Sequence, residues 1–180
     1  RDAWAGQPVS LDGDPEKAIE VHPRPRQQPA PPIWVAAFGP KALAQAGRLG
    51  LPYLCSPMES LATLEENYEK HRASAEEAGV DVPTVVPLMR TVFVSKDQKE
   101  VDEVKQMLAA RTDNTRLQAG ESYDDWTIVG TRSEVEDKIA LYQERLGMTH
   151  MVATRLRVSG IPSERLRTSV ALLADLVSGG

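Results

Sequence analysis

The stretch Ile33-Trp34-Val35-Ala36-Ala37-Phe38-Gly39-Pro40-Lys41, with the helical spacing of Ala42 to Leu49 and the run Gly50-Leu51-Pro52-Tyr53-Leu54-Cys55 behind it, decides the fold. Ile33 to Ala37 is a short, continuous apolar run, the pattern of a strand buried on both faces. Gly39 then serves as N-cap and Pro40 as first helical residue, where a missing N–H costs nothing. Gly50 ends the helix, and Leu51 to Cys55 reads as a second buried strand. Strand, helix and strand in so few residues is the unit of a parallel sheet.

The alternation continues downstream. Ser56-Pro57-Met58-Glu59 spells a capping box with Pro at the first helical position, opening a helix that runs to Ala78 and stops at Gly79. Val85 to Ser95 is a third strand. Ser95-Lys96-Asp97-Gln98 opens a helix to about Arg111, and residues 112–124 are polar and loop-like. Thr131-Arg132-Ser133-Glu134 is another capping box, with its helix ending at Gly147. Met148 to Val158 is the fourth strand. Gly160 and Pro162 break the chain before an amphipathic helix, Ser163 to Val177. Four parallel strands with right-handed crossovers make either a small doubly wound sheet or half of a (β/α)₈ barrel, since a full barrel needs eight strands and about 250 residues.

Residues 1–32 differ. The proline-dense run His22 to Pro32 excludes regular helix, because proline lacks the donor and clashes with the preceding turn. This part reads as a connector lying on a surface, with a short strand at Ala18 to Val21. The start, Arg1-Asp2-Ala3-Trp4, reads as a cut within a longer protein.

Composition narrows the function. The 180 residues are 41% hydrophobic and 26% charged, a globular balance for one domain or a large part of one. Lys plus Arg number 21 against 26 Asp plus Glu, a net charge of −5, which argues against a nucleic-acid partner. No apolar run approaches 18 residues, so no membrane helix is expected. The single cysteine, Cys55, excludes an internal disulfide framework and a Cys-pair zinc site. It fits a reducing compartment, and the cytoplasm is the expected location. His22, His71 and His150 lack metal-ligand spacing; His71, mid-helix among charges, reads as a surface residue.

Several segments together carry a family resemblance. Pro31 to Pro40 with Ala44-Gln45-Ala46-Gly47-Arg48-Leu49-Gly50-Leu51-Pro52 resembles the middle of the bacterial luciferase-like, flavin-dependent monooxygenases. Arg24-Pro25-Arg26-Gln27-Gln28-Pro29 resembles the approach to that family's fifth strand. Thr127 to Val135 resembles its late "VGTPEEV" helix start, with Arg132 where Pro is usual, and Gly147 to Ala153 resembles the approach to its last strand. The order matches the family's C-terminal half, strands five to eight. The resemblance implies a TIM (β/α)₈ barrel of which residues 33–180 form that half, with parallel strands and outer helices and with residues 1–32 as the connector.

The resemblance also implies a chemistry. It places Ala36, Ala37, Phe38 and Gly39 at the phosphate and ring edge of a flavin, with Ser56 lining the same pocket. Some relatives carry hydroxyl residues where this chain has Phe38-Gly39, so the contact falls to the main chain. Arg155, near the end of the fourth strand, and Arg90, inside the third, are the substrate-binding candidates, because a charge in a buried strand needs a carboxylate, a phosphate or solvent. The implied activity is a monooxygenase using reduced FMN and O₂ on a small organic substrate, or a deazaflavin in the sister branch. Catalytic side chains are not expected, since the cofactor carries the difficult step. Such a half has open sheet edges and implies a partner, an N-terminal half-barrel or a second copy of itself. Two rivals stand beside it: a non-catalytic half-barrel serving binding or assembly, and an unrelated doubly wound domain, which would carry helices on both faces of its sheet.

Overall fold

The computed structural model describes residues 2–110, 121–156 and 158–178. The expected helix end at Arg111, most of the expected loop 112–124, and Arg157 lie outside them. The chain divides into two compact units, Arg1–Ile33 and Trp34–Gly180. In the first, a 3₁₀ turn at Pro15–Lys17 is capped by the Asp14 side chain, which accepts from the Glu16 N–H. The strand expected at Ala18 to Val21 reduces to one antiparallel bridge, Val9 to Ile19. His22 to Pro32 forms neither helix nor strand, as its prolines dictate.

The second unit alternates: β1 (Val35–Ala36), α1 (Gly39–Arg48), β2 (Tyr53–Leu54), α2 (Leu61–Glu77), β3 (Pro87–Val94), α3 (Gln98–Ala109), a 3₁₀ turn (Tyr123–Trp126), β4 (Thr127–Gly130), α4 (Arg132–Leu146), β5 (His150–Thr154) and α5 (Ser163–Ser178). All strand pairs in it are parallel. β1 pairs with β2, and β3 sits between β4 and β5. The described residues thus hold one more strand than the sequence reading finds. β4 lies between a loop and the Thr131 capping box, and it pairs only with the far half of β3, Thr91 to Val94. β5 ends at Thr154, well short of Val158.

Side chains join β2 to β3. The Met89 N–H donates to Cys55 Sγ at 3.2 Å, and the Tyr68 hydroxyl of α2 lies 2.9 Å from the Pro87 carbonyl and 3.3 Å from that of Tyr53. The main core lies on one side of the strands. Ala37, Tyr53, Cys55, Leu88, Val92, Val94 and Ile128 meet Leu43, Leu64, Tyr68, Val135, Tyr142 and Leu146 of the helices. Alternation along a strand sends the intervening residues to the opposite face: Ala36, Leu54, Met89 and Thr91, joined in register by Val152 and Thr154. These six range from half-buried to exposed. Beyond Thr91 that face is closed, because Phe93 and Val129 pack with Val101, Val104 and Leu108 of α3 and with Trp126. Helices therefore cover both faces at the β3–β4 end.

Two corrections concern α2. It begins at Leu61, capped by Ser60, whose hydroxyl accepts from the Thr63 N–H at 3.3 Å. Its buried stripe is Leu64, Tyr68, His71 and Ala75, the spacing of one helix face. His71 belongs to that stripe. It is only 5% exposed, and its Nε2 lies 2.9 Å from the Leu51 carbonyl. α1 crosses α2 here so closely that a Cβ on Gly47 would clash with the His71 carbonyl oxygen. Likewise α3 is capped by Asp97, not Ser95; Ser95 instead donates to Glu100 at 2.7 Å.

Candidate functional site

The C-terminal ends of parallel strands gather the loops where such folds bind ligands. In the Trp34–Gly180 unit they bring together the turn Ala37-Phe38-Gly39 after β1, the turn Cys55 to Ser60 after β2, and Thr154-Arg155 at the end of β5. The sequence candidates Ala36, Ala37, Phe38, Gly39, Ser56 and Arg155 thus share one end of the unit. Ala37 is buried, Phe38 is 67% exposed, and Ala36, Gly39 and Arg155 are exposed.

The start of α1 is unlike that of the next three helices. α2 and α3 are capped by Ser60 and Asp97, and Thr131 and Glu134 close a capping box on α4. No side chain caps α1, and its first turn holds no acid. It holds Lys41, which is exposed. A cation beside the positive end of a helix is unfavourable unless an anion joins them. Gly39 has φ 78°, a left-handed conformation that a side chain would strain, and nothing lies within 4 Å of where its Cβ would stand. Uncapped N–H groups, an open approach and Lys41 make a cradle that fits a phosphate group.

Ser56 caps a turn, not a helix. Its N–H donates to Glu59 Oε2 at 2.6 Å and its Oγ accepts from the Met58 N–H at 3.2 Å. Only the Glu59 half of the expected capping box forms, because Ser56 Oγ takes the Met58 N–H in place of that of Glu59, and the chain turns again before α2. Glu59 is held in place by the Tyr53 hydroxyl at 3.0 Å and by Asn67 Nδ2 at 3.0 Å. Burial, reinforced by this carboxylate, raises the Tyr53 pKa well above its ordinary value. The Cys55 thiol is also raised, by burial, against the opposing pull of Arg90.

Arg90 is fully buried. The expected carboxylate, phosphate or solvent is not its partner. Nη2 donates to the Glu59 carbonyl at 2.8 Å, Nη1 to the carbonyls of Ser56 at 3.3 Å and Met89 at 3.0 Å, and Nε to the Tyr142 hydroxyl at 3.0 Å. The guanidinium also lies 4.9 Å from the centre of the Tyr142 ring. Arg90 braces the Ser56–Glu59 turn from the helix side and presents nothing to a ligand.

Three residues enter that sequence reasoning passed over. Lys41 was legible as a cation in an acid-free first turn. Thr91 and Thr154 stand in register on the open face with their hydroxyls 3.1 Å apart; only the parity of β3 marks Thr91 as facing away from Leu88 and Val92. At the other end of the same face, the Trp34 and His150 rings meet edge to face, 5.4 Å between centres. A hollow of about 480 Å³ lined by Lys105, Leu108 and Thr127, and another of about 360 Å³ lined by Ser95, Thr131 and Leu172, share no residue with this site. Among the described residues no three His, Cys, Asp or Glu side chains converge as metal ligands, and no helix is long and apolar enough to cross a membrane.

The family model for luciferase-like monooxygenases matches residues 1–150. The chain belongs to that family. Its solved relatives agree in fold at low identity. The monooxygenase RslO1 from Streptomyces bottropensis superposes with a TM-score of 0.73 at 19% identity, over 99% of this chain and 57% of that one. The oxygenating constituent of 3,6-diketocamphane monooxygenase from Pseudomonas putida, a structure in complex with FMN, gives 0.66 at 18%, over 95% and 54%. The coenzyme F420-dependent tetrahydromethanopterin reductase from Methanopyrus kandleri gives 0.59 at 20%, over 84% and 53%. No curated protein matches the sequence. The chain spans a little over half the length of these three structures, and its fold is half of their barrel. A half-barrel turns one face of its strands to the interior and the other to its helices, and the face of Ala36, Leu54, Met89 and Thr91 is the one the main core leaves open.

Proposed function

We propose that residues 33–180 supply strands five to eight of a flavin-dependent monooxygenase barrel, with residues 1–32 as its connector. The flavin phosphate sits on the N–H groups at the start of α1, with Lys41 beside it and with Ala36, Ala37, Phe38 and Gly39 letting the ligand approach the backbone. Ser56, on its braced turn, lines the same pocket. Arg155, exposed past β5, meets an anionic group of the ligand; Arg90 acts only by holding the Ser56 turn. Reduced flavin, when bound, supplies the oxygen chemistry, and the protein's part is to position it, exclude water and orient a small organic substrate. The other half of the pocket comes from an N-terminal half-barrel or a second copy of this chain, and the assembled enzyme works in the cytoplasm.

The observation that carries this reading is the uncapped, Lys41-bearing start of α1, set beside three capped helices. Flavin fluorescence titration tests it. FMN should bind more tightly than riboflavin, which lacks only the phosphate, by on the order of tenfold, and Lys41→Glu should abolish the difference. Equal binding of the two flavins, or none, overturns the assignment. Tighter binding of coenzyme F420 than of FMN selects the deazaflavin. The native mass, with a visible absorption scan, shows whether a second polypeptide completes the barrel.

A further inference from the structure

We infer that the Thr91–Thr154 hydroxyl pair is the polar contact that holds a neutral, oxygen-bearing group, a carbonyl or hydroxyl, of an otherwise apolar substrate. This rests on the reading of the open face as part of a ligand pocket. The two threonines stand opposite each other in the β3–β5 register, at the end of the face where the ligand loops gather. Their mutual bond of 3.1 Å uses one hydroxyl proton and one acceptor site. A hydroxyl offers one donor and two acceptor sites. The pair therefore retains one O–H donor and three acceptor sites beside a face that no helix covers.

Thr127 and Thr149, by contrast, are committed elsewhere. Thr127 donates to the Tyr123 carbonyl at 2.9 Å, and Thr149 accepts from the Val86 N–H at 2.8 Å. The surroundings of the pair are apolar. Met89 and Val152 lie one step below it on the same face. Phe93 and Leu156, each two residues beyond a threonine of the pair, belong to the hydrophobic cluster that closes the face, and Met58 from the Ser56 turn packs against that cluster. Arg90 turns its charge to the opposite side. Arg155, exposed and next after Thr154, is left for an anionic group of the ligand beyond the pair, while at the pair itself the neighbouring wall is apolar. An apolar body with one neutral oxygen satisfies both the wall and the hydroxyls.

The test uses NMR of the threonine methyl groups in the 180-residue chain, with cyclohexanone and its oxygen-free analogue methylenecyclohexane as probes. Cyclohexanone should shift Thr91 and Thr154 and bind roughly fivefold more tightly than methylenecyclohexane, the worth of one neutral hydrogen bond. Thr91→Val together with Thr154→Val, which keeps volume and removes both hydroxyls, should erase that preference, and Thr154→Ser should keep it. Equal affinity for the two probes, no shift from cyclohexanone, or a preference that survives the double valine variant overturns the inference. So does FMN shifting the threonine methyls in place of the ketone, which would assign the pair to the cofactor. FMN shifts at the Ala36 to Gly39 amides, followed in the same sample, report on the flavin reading separately.

Discussion

Replacing Arg90 by Met measures how the Ser56 turn is held. Methionine approximates the length and volume of the arginine stem and removes every donor. The Ser56 carbonyl, the Glu59 carbonyl and the Tyr142 hydroxyl each lose the guanidinium, and all three are remote from residue 90 in sequence. At about 1 kcal/mol for each buried group left unsatisfied, the loss is about 3 kcal/mol. Removing a buried charge returns part of this, and losing the ring contact with Tyr142 offsets that return in turn. A net loss of about 3 kcal/mol corresponds to a fall in Tm of about 6–12 °C for a chain of this size. Urea unfolding followed by circular dichroism reads the free energy, and amide exchange reads the turn. Protection should fall first at residues 56–60. Tyr142→Phe removes one acceptor and should cost only about 1 kcal/mol. If Arg90→Met stays within about 0.5 kcal/mol of the parent, or Tyr142→Phe costs as much as Arg90→Met, the guanidinium does not brace the turn and the reasoning fails.

Three further outcomes follow from the same structure. Glu134 is held below its ordinary pKa of 4.5, first by the Thr131 N–H and also by Lys105; the folded state thus binds fewer protons, so its stabilisation is complete above that value and fades as pH falls below it, and Glu134→Gln should flatten that limb of a stability–pH curve. Cys55 is buried with a raised pKa, so a thiol reagent at mild alkaline pH should label it at the rate of unfolding; fast labelling of the native protein would contradict its place between β2 and β3. Gly47→Ala forces a methyl into the His71 carbonyl oxygen and should cost roughly 1–3 kcal/mol as α1 and α2 separate, read by thermal unfolding.

What could be read in advance follows the range of the forces involved. Apolar runs, capping boxes and Gly stops are local, and they placed α1, α4, α5 and the strands β1, β2 and β3 in order. β4 escaped because Thr127 to Gly130 is too short to announce itself; it is a strand only because the far half of β3 offers it an edge. The start of α2 was misplaced because two Ser-led caps compete within five residues. The first only half forms, with Glu59 on the Ser56 N–H but Ser56 Oγ on the Met58 N–H; Tyr53 and Asn67 also hold that carboxylate, and the helix starts from Ser60. His71 looked exposed because charged neighbours surround it in sequence, whereas its spacing from Leu64, Tyr68 and Ala75 already put it on the buried stripe.

The site divides along the same line. That a charge at Arg90 needed partners was evident from the strand around it; that those partners are carbonyls of the next turn and a phenol from α4 required the packed structure. The consequence is functional. A carboxylate partner would have paired with Arg90 alone, while carbonyl partners make Arg90 a strut between β3 and the loop that carries Ser56. The fold thereby keeps its one buried guanidinium among the described residues on the helix side of the sheet, and leaves the open face, away from the Trp34–His150 end, to small, apolar and hydroxyl side chains. A pocket that relies on a cofactor for its chemistry needs such a face, since what the protein must provide there is shape, dryness and one or two oriented hydrogen bonds.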